Sequence, residues 1–142
     1  INNKKITVFG GDQLRPNLHI QDYCEVVKLL INADSKQISN QIFNVGYHNM
    51  SINEIARVVK KVVQEEFPEF GEVPIIKTES NDNRSYHINS DKIKKILGYE
   101  ANRSVEDAVR ELCAKFKEKA FKNTLDNDFY FNIKRMKNLK AS

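Results

Sequence analysis

Gln41-Ile42-Phe43-Asn44-Val45-Gly46, followed by Tyr47-His48-Asn49-Met50 and then by Ser51-Ile52-Asn53-Glu54, is the stretch that decides the fold class. The first five residues are β-prone and Gly46 stops the run, so a strand is predicted over 41–45. Ser51 with Glu54 three residues on has the pattern of a capping box. Behind it, Ile52, Ile55, Ala56, Val58, Val59, Val62 and Val63 recur at the helical period. Strand, tight loop and long amphipathic helix make half of a βαβ unit. The chain is therefore read as α/β.

Upstream, Lys5-Ile6-Thr7-Val8-Phe9 predicts a short strand ended by the turn Gly10-Gly11-Asp12. Leu18-His19-Ile20 alternates as a brief strand would, and Asp22 with Glu25 predicts a capped helix carrying Val26, Val27, Leu29, Leu30 and Ile31. Downstream, Pro68 ends the long helix, and Val73-Pro74-Ile75-Ile76 predicts a short edge strand. Asp91–Leu97 predicts a short helix with Gly98 as its left-handed terminator. Ser104, backed by Asp107, caps a last helix with Val105, Ala108, Val109, Leu112, Cys113 and Phe116 on one face. No internal repeat and no low-complexity segment interrupts this order.

The chain has 142 residues, 40% of them hydrophobic and 30% charged, which is the composition of one globular domain with a real core. No apolar run approaches the ~20 residues that span a bilayer, and the first residues lead into no signal-peptide core. The initial Ile1 in place of Met leads one to expect a chain that begins inside something longer or was cut. Cys24 and Cys113 occupy apolar positions of predicted helices and are expected to be buried free thiols, which favours a cytoplasmic location. The net charge of +4 is uneven: residues 115–140 hold eight Lys/Arg against three acids. Basicity thus belongs to the C-terminal tail and does not mark the whole domain as a nucleic-acid binder.

Two loop arginines carry the chemistry. Arg15 lies in Gly10-Gly11-Asp12-Gln13-Leu14-Arg15, and Arg84 in Asn83-Arg84-Ser85-Tyr86-His87-Ile88. A guanidinium fork suits a diphosphate, because paired donors meet paired oxygens in one plane. The bland alternative is that each arginine pairs with a surface carboxylate, which is common and contributes little. His19, His48 and His87 are scattered without zinc spacing and are expected on the surface or in loops, with no metal site.

Taken in order, the Gln13–Arg15 segment, Asn44-Val45-Gly46, Asn83-Arg84-Ser85-Tyr86 and the Ser90-Asp91-Lys92-Ile93 to Gly98-Tyr99 closure resemble the C-terminal half of an extended short-chain dehydrogenase/reductase, the nucleotide-sugar epimerase and dehydratase family. The resemblance covers about three quarters of the chain. It implies the closing strands and helices of a Rossmann-type fold plus a small substrate-binding lobe over residues 1–120, with a basic-aromatic tail over 121–142. It implies that Arg15 and Arg84 hold the diphosphate of a nucleoside-diphosphate sugar, that Phe9 and the backbone around it meet the base, and that Gln13 and Tyr86 line the pocket. Asn49 is a further candidate contact, and Asn44 is expected to hold its loop. Losing one arginine should weaken nucleotide-sugar binding by about one to two orders of magnitude. Two departures from the family pattern bear on the base: the loop between Phe9 and Arg15 is one residue shorter than in many dehydratases, and Asn83 stands where Asp is frequent.

The family's hydride chemistry also needs a Gly-rich turn at a helix N-terminus for NAD or NADP, and a Tyr-x-x-x-Lys pair for proton transfer. The five glycines form no such turn. The string Tyr130-Phe131-Asn132-Ile133-Lys134 comes after every substrate motif, whereas the family's pair precedes them. No catalytic residue is therefore assigned, and the chain alone is expected to be inactive as an oxidoreductase. The implied partners are a nucleoside-diphosphate sugar and the N-terminal Rossmann domain of the same protein, which would carry the cofactor. A homodimer stays open, because family dimers form through helices of that other half. No membrane is expected. Phe129, Tyr130, Phe131, Ile133, Met136 and Leu139 are expected to pack on the body or on the absent half. The alternative reading, from a different class, is a non-catalytic interaction or nucleic-acid-binding module that uses the basic tail.

Overall fold

The computed structural model describes residues 1–82 and 84–139. It divides into two compact units, 1–110 and 111–142.

The first unit is built on two small sheets and the helices between them. Strand β1 (Ile6–Phe9) leads through the Gly10-Gly11 turn into β2 (Leu14–Asn17). Helix α1 (Ile20–Asn32) and the single turn α2 (Ser35–Ile38) follow. Then come β3 (His48–Ser51), α3 (Ile52–Glu66), a 3-10 turn at Pro68–Phe70, β4 (Ile75–Thr78) and α4 (Asp91–Leu97). Helix α5 (Val105–Lys117) runs across the division between the units. Strand β4 pairs parallel to β1, with Ile6 opposite Ile75, while β2 pairs antiparallel to β3, with Leu14 opposite Ser51. Helix α3 packs on both β1 and β3, so Ala56, Val62 and Val63 on its inner face are buried together with Val8. A structural neighbourhood of mixed strands and helices is what the sequence leads one to expect.

Several local signals act as predicted. Ser51 Oγ accepts from the Glu54 N–H at 3.2 Å and the Ser51 N–H in turn donates to the Glu54 carboxylate at 2.7 Å, so α3 opens on a complete capping box. Gly98 closes α4 at φ +67°, in the left-handed region. Ser104 and Asp107 exchange equivalent bonds at the start of α5.

Several expectations are corrected. Residues 41–45 form no strand; the strand is His48–Ser51, because that segment finds a ladder partner in β2. Leu18-His19-Ile20 is not a strand either: His19 is the cap of α1, its Nδ1 accepting from the Gln21 N–H at 3.1 Å. His19 is buried, unlike the surface histidine expected, whereas His48 and His87 are exposed.

Asp22 consequently lies inside α1, and its capping role is replaced by a tertiary one. The side chain is fully buried and accepts from the backbone N–H groups of Asn102 (3.2 Å) and Arg103 (3.0 Å) and from the Arg103 guanidinium. Arg103 reaches on to Glu25 at 2.9 Å, and the Tyr99 hydroxyl donates to the Asp22 carbonyl at 2.9 Å. This brace ties the helix that follows β2 to the segment that precedes α5. Cys113 is buried as expected, but Cys24 is exposed, because it sits on the outward side of α1 beside exposed Tyr23 and Val27.

The second unit contains the end of α5, a 3-10 turn at Asp128–Tyr130 and helix α6 (Asn132–Asn138). Phe121 packs on Phe116 with ring centres 5.0 Å apart and meets Tyr130 edge-on at 6.2 Å. Phe129 lies under the Arg135 guanidinium at 4.4 Å, yet it and Ile133 remain largely exposed.

Candidate functional site

The site forms where the β1–β2 turn, the β2–β3 ribbon and the segment 84–88 meet. Its floor is the Gly10-Gly11 turn. Both glycines have positive φ (+76° and +135°), a region that L side chains rarely adopt, and a Cβ on Gly11 would stand 2.4 Å from the Asn53 side chain, so any other residue there is strained and displaces Asn53. Gln13 braces this turn from within: its Oε1 accepts from the Gly11 N–H at 2.6 Å and its Nε2 donates to the Phe9 carbonyl at 2.8 Å. Asn53, at the start of α3, adds a bond from its side chain to Asp12 at 2.8 Å and one from its backbone to the Gly11 carbonyl, also at 2.8 Å. Beside the turn lies an open slot of about 380 Å³ lined by Gly10, Gly11, Asp12, Gln13 and Ser85. Phe9, at 58% exposure, is the last residue of β1 before it.

Segment 84–88 is laced to both strands of the ribbon. Ser85 Oγ accepts from the Leu14 N–H at 2.9 Å, and Tyr86 N–H faces the Leu14 carbonyl at 3.5 Å. Asn49 uses both ends of its side-chain amide on Ile88, donating to its carbonyl and accepting from its N–H, each at 2.9 Å. The amide acts here as an extra piece of backbone, holding the segment against β3. Asn44 is exposed.

This lacing brings the two arginines together, although they are 69 positions apart in the chain. Arg15 Nη1 donates to the Arg84 carbonyl at 2.5 Å and to the Leu14 carbonyl at 2.9 Å, and its guanidinium carbon lies 5.0 Å from the centre of the Tyr86 ring. Cation–π contact of this kind steadies a guanidinium without neutralising it. Arg84 makes a two-pronged pair with Asp82, Nε to Oδ1 at 2.7 Å and Nη2 to Oδ2 at 2.8 Å. Arg15 Nη2 reaches the same Oδ2 at 3.8 Å. Both guanidinium groups therefore converge on one carboxylate oxygen. The Arg84 hydrogen bonds, with Arg15 charge behind them, hold the Asp82 carboxyl well below the usual carboxylate range. The same pair raises the Arg84 pKa. Asp82 is the residue that sequence reasoning passed over. Its signal was its place two residues before an arginine in a polar loop, where an Asp side chain readily turns back on the following backbone.

Asn83, noted above for its departure from the family pattern, lies outside the described residues. Among the described residues no cluster of His, Cys, Asp and Glu could hold a metal ion, and no helix is long and apolar enough to cross a membrane. A dinucleotide does not fit this chain's own residues. Gly10 and Gly11 lead into a strand, Gly46 precedes β3, Gly71 follows the 3-10 turn and Gly98 ends a helix, so none opens a helix toward a pyrophosphate. Tyr130 falls in the 3-10 turn and Lys134 in α6, with Lys134 Nζ donating to the Asp126 carbonyl at 3.2 Å.

No protein-family model matches the chain. Among curated proteins, the dTDP-glucose 4,6-dehydratase of Escherichia coli is 22% identical over 117 residues, which cover 78% of this chain and 32% of the relative. Among solved structures, UDP-glucose 4-epimerase of Thermotoga maritima, in complex with UDP-glucose, superimposes with a TM-score of 0.64 at 19% identity, over 82% of this chain and 36% of the epimerase. The chain carries the fold of the C-terminal part of an extended short-chain dehydrogenase/reductase. It spans about a third of the length of the curated relatives it matches. The same fold serves other substrates: the L-threonine dehydrogenase of Phytophthora infestans also superimposes with a TM-score of 0.64, at 17% identity over 82% of this chain and 38% of its own. Fold alone thus does not choose the ligand.

Proposed function

We propose that this chain forms the nucleotide-sugar-gripping part of an NAD(P)-dependent sugar epimerase, dehydratase or reductase, with the diphosphate held between Arg15 and Arg84. The observation that carries this reading is the convergence of the two guanidinium groups on a single anion. A diphosphate offers more oxygens and more charge than the Asp82 carboxylate, and the forks of both arginines match it in shape. Phe9 and the slot beside the glycine turn would receive the base. Gln13 and Asn49 would act by holding the turn and segment 84–88 in place, and Tyr86 by steadying Arg15. The relatives named above support the substrate class, since two of them are named for nucleotide sugars.

Under this reading the nicotinamide cofactor and the acid–base residues lie on an N-terminal Rossmann domain of the same protein, and the sugar sits at the seam. Such sites form between domains, so this chain would bind nucleotides weakly and catalyse nothing by itself. A cytoplasmic enzyme, dimeric through its other half, is the setting this assumes.

Titration of the chain with UDP and dTDP, followed by thermal protection, tests the assignment. Both nucleotides should stabilise the wild type in proportion to their concentration. Arg84→Ala should weaken binding about tenfold, the lower end of the sequence-based expectation, because the Arg84 side chain is 80% exposed. Equal stabilisation of wild type and Arg84→Ala would overturn the site. Salt-sensitive binding of RNA or DNA with no nucleotide effect would instead favour an interaction module.

A further inference from the structure

The clamp is already occupied. Asp82 places its carboxylate where the two arginines meet, with two short bonds to Arg84 and its Oδ2 within 3.8 Å of Arg15. Its backbone is fixed for that task. The Asp82 N–H donates to Ser80 Oγ at 3.1 Å, and Oδ1 also faces the Arg84 N–H at 3.3 Å. The carboxyl is thus directed at the guanidinium from its own loop and does not reach it by chance from a distant surface.

We infer that Asp82 is a built-in counter-anion that competes with the diphosphate for Arg84 and so sets the affinity of the clamp. The inference rests on the diphosphate reading of the site. Its physical basis is charge. With Asp82 in place, the ionised carboxylate cancels one of the two positive charges that would attract a phosphate, and it uses the Nε–Nη2 edge of Arg84, the edge best suited to bidentate contact. An incoming diphosphate must expel the carboxylate from that edge and then sit beside its negative charge. A unit charge at about 4–5 Å in a water-exposed setting changes binding several-fold. The internal pair also has a use when no ligand is present, because it keeps both guanidinium groups oriented toward the same point. Asp82 would therefore weaken binding while speeding release, which suits a site that must free its product.

The expected sign is opposite to that of an ordinary site residue: removing the Asp82 charge should improve binding. The measurement is the affinity of the full 142-residue chain for inorganic pyrophosphate and for UDP, read by NMR titration, in wild type, Asp82→Asn, Asp82→Glu and the double variant Asp82→Asn with Arg84→Ala. Asp82→Asn keeps the shape and removes the charge. It should bind both ligands about 3–10-fold tighter, with a steeper loss of binding as salt is raised. Asp82→Glu keeps the charge and should stay within about twofold of wild type. Adding Arg84→Ala should abolish the gain. Binding by Asp82→Asn that is equal to or weaker than wild type would overturn the role of Asp82 and leave the clamp standing. Failure of every variant to bind either ligand, with amide spectra of a folded chain, would overturn the clamp reading and this inference with it.

Discussion

Asp22 offers the sharpest test of how the first unit is held together. Its side chain is fully buried, and three donors converge on it: two backbone N–H groups, from Asn102 and Arg103, and the Arg103 guanidinium. In Asp22→Ala the two backbone groups lose their acceptor, at about 1–3 kcal/mol each for buried donors. Their partial burial puts them toward the lower end, so the total is about 2–3 kcal/mol. The guanidinium keeps Glu25 and contact with solvent, so it adds little. With a urea dependence of about 2 kcal/mol per molar, the unfolding midpoint should fall by roughly 1–1.5 M. Urea titration followed by far-UV circular dichroism measures it. Glu25→Ala is the control: it removes only the outer, exposed contact of Arg103 and should barely move the midpoint. Asp22→Asn, which retains one acceptor oxygen, should fall between them. If Asp22→Ala costs no more than Glu25→Ala, the brace is not what ties α1 to the segment before α5.

Two further outcomes follow from the helix caps and their charges. Ser51→Ala removes one side of the capping box of α3 and should cost about 1 kcal/mol, visible as a lowered thermal midpoint with unchanged native spectrum. Acid should destabilise the chain through a defined set of carboxyls. The Asp82 pKa is lowered by the Arg84 side-chain bonds, that of Glu54 by the Ser51 backbone bond, that of Glu106 by the Arg110 guanidinium, that of Asp107 by the Ser104 hydroxyl and that of Asp128 by Asn138. A carboxyl whose folded pKa is depressed binds fewer protons folded than unfolded, so its contribution is present above the ordinary values of 4.5 and 3.8 and is lost as pH falls through the lowered ones. Stability measured from pH 7 downward should therefore hold to about pH 5 and then decline.

Local signals made the helices legible and tertiary ones hid the strands. The Ser51–Glu54 box, Gly98 and the Ser104–Asp107 exchange involve residues at most four positions apart within one element, so spacing alone reveals them. A strand is different, because it exists only beside a partner. The β-prone run 41–45 finds none among the described residues, while the more polar His48–Ser51 pairs with Leu14–Asn17. His19 and Asp22 show the same competition at the start of α1. Either suits a cap by composition, but the donors at Asn102 and Arg103, 80 and 81 positions away, claim Asp22. In the candidate site, Arg15 and Arg84 were legible through their resemblance to a known pattern. Their common focus on Asp82, and the use of Asn49 as a strap on Ile88, depend on how segment 84–88 lies along the ribbon.

In the proposed function, Arg15 and Arg84 together receive a diphosphate. The most direct measurement follows the Nε–Hε resonances of the two arginines by NMR while UDP is added, with uridine as the control that lacks phosphate. UDP should shift both resonances along one saturating curve, and uridine should leave them in place. Movement of neither resonance under UDP, or equal movement under uridine, would contradict that function.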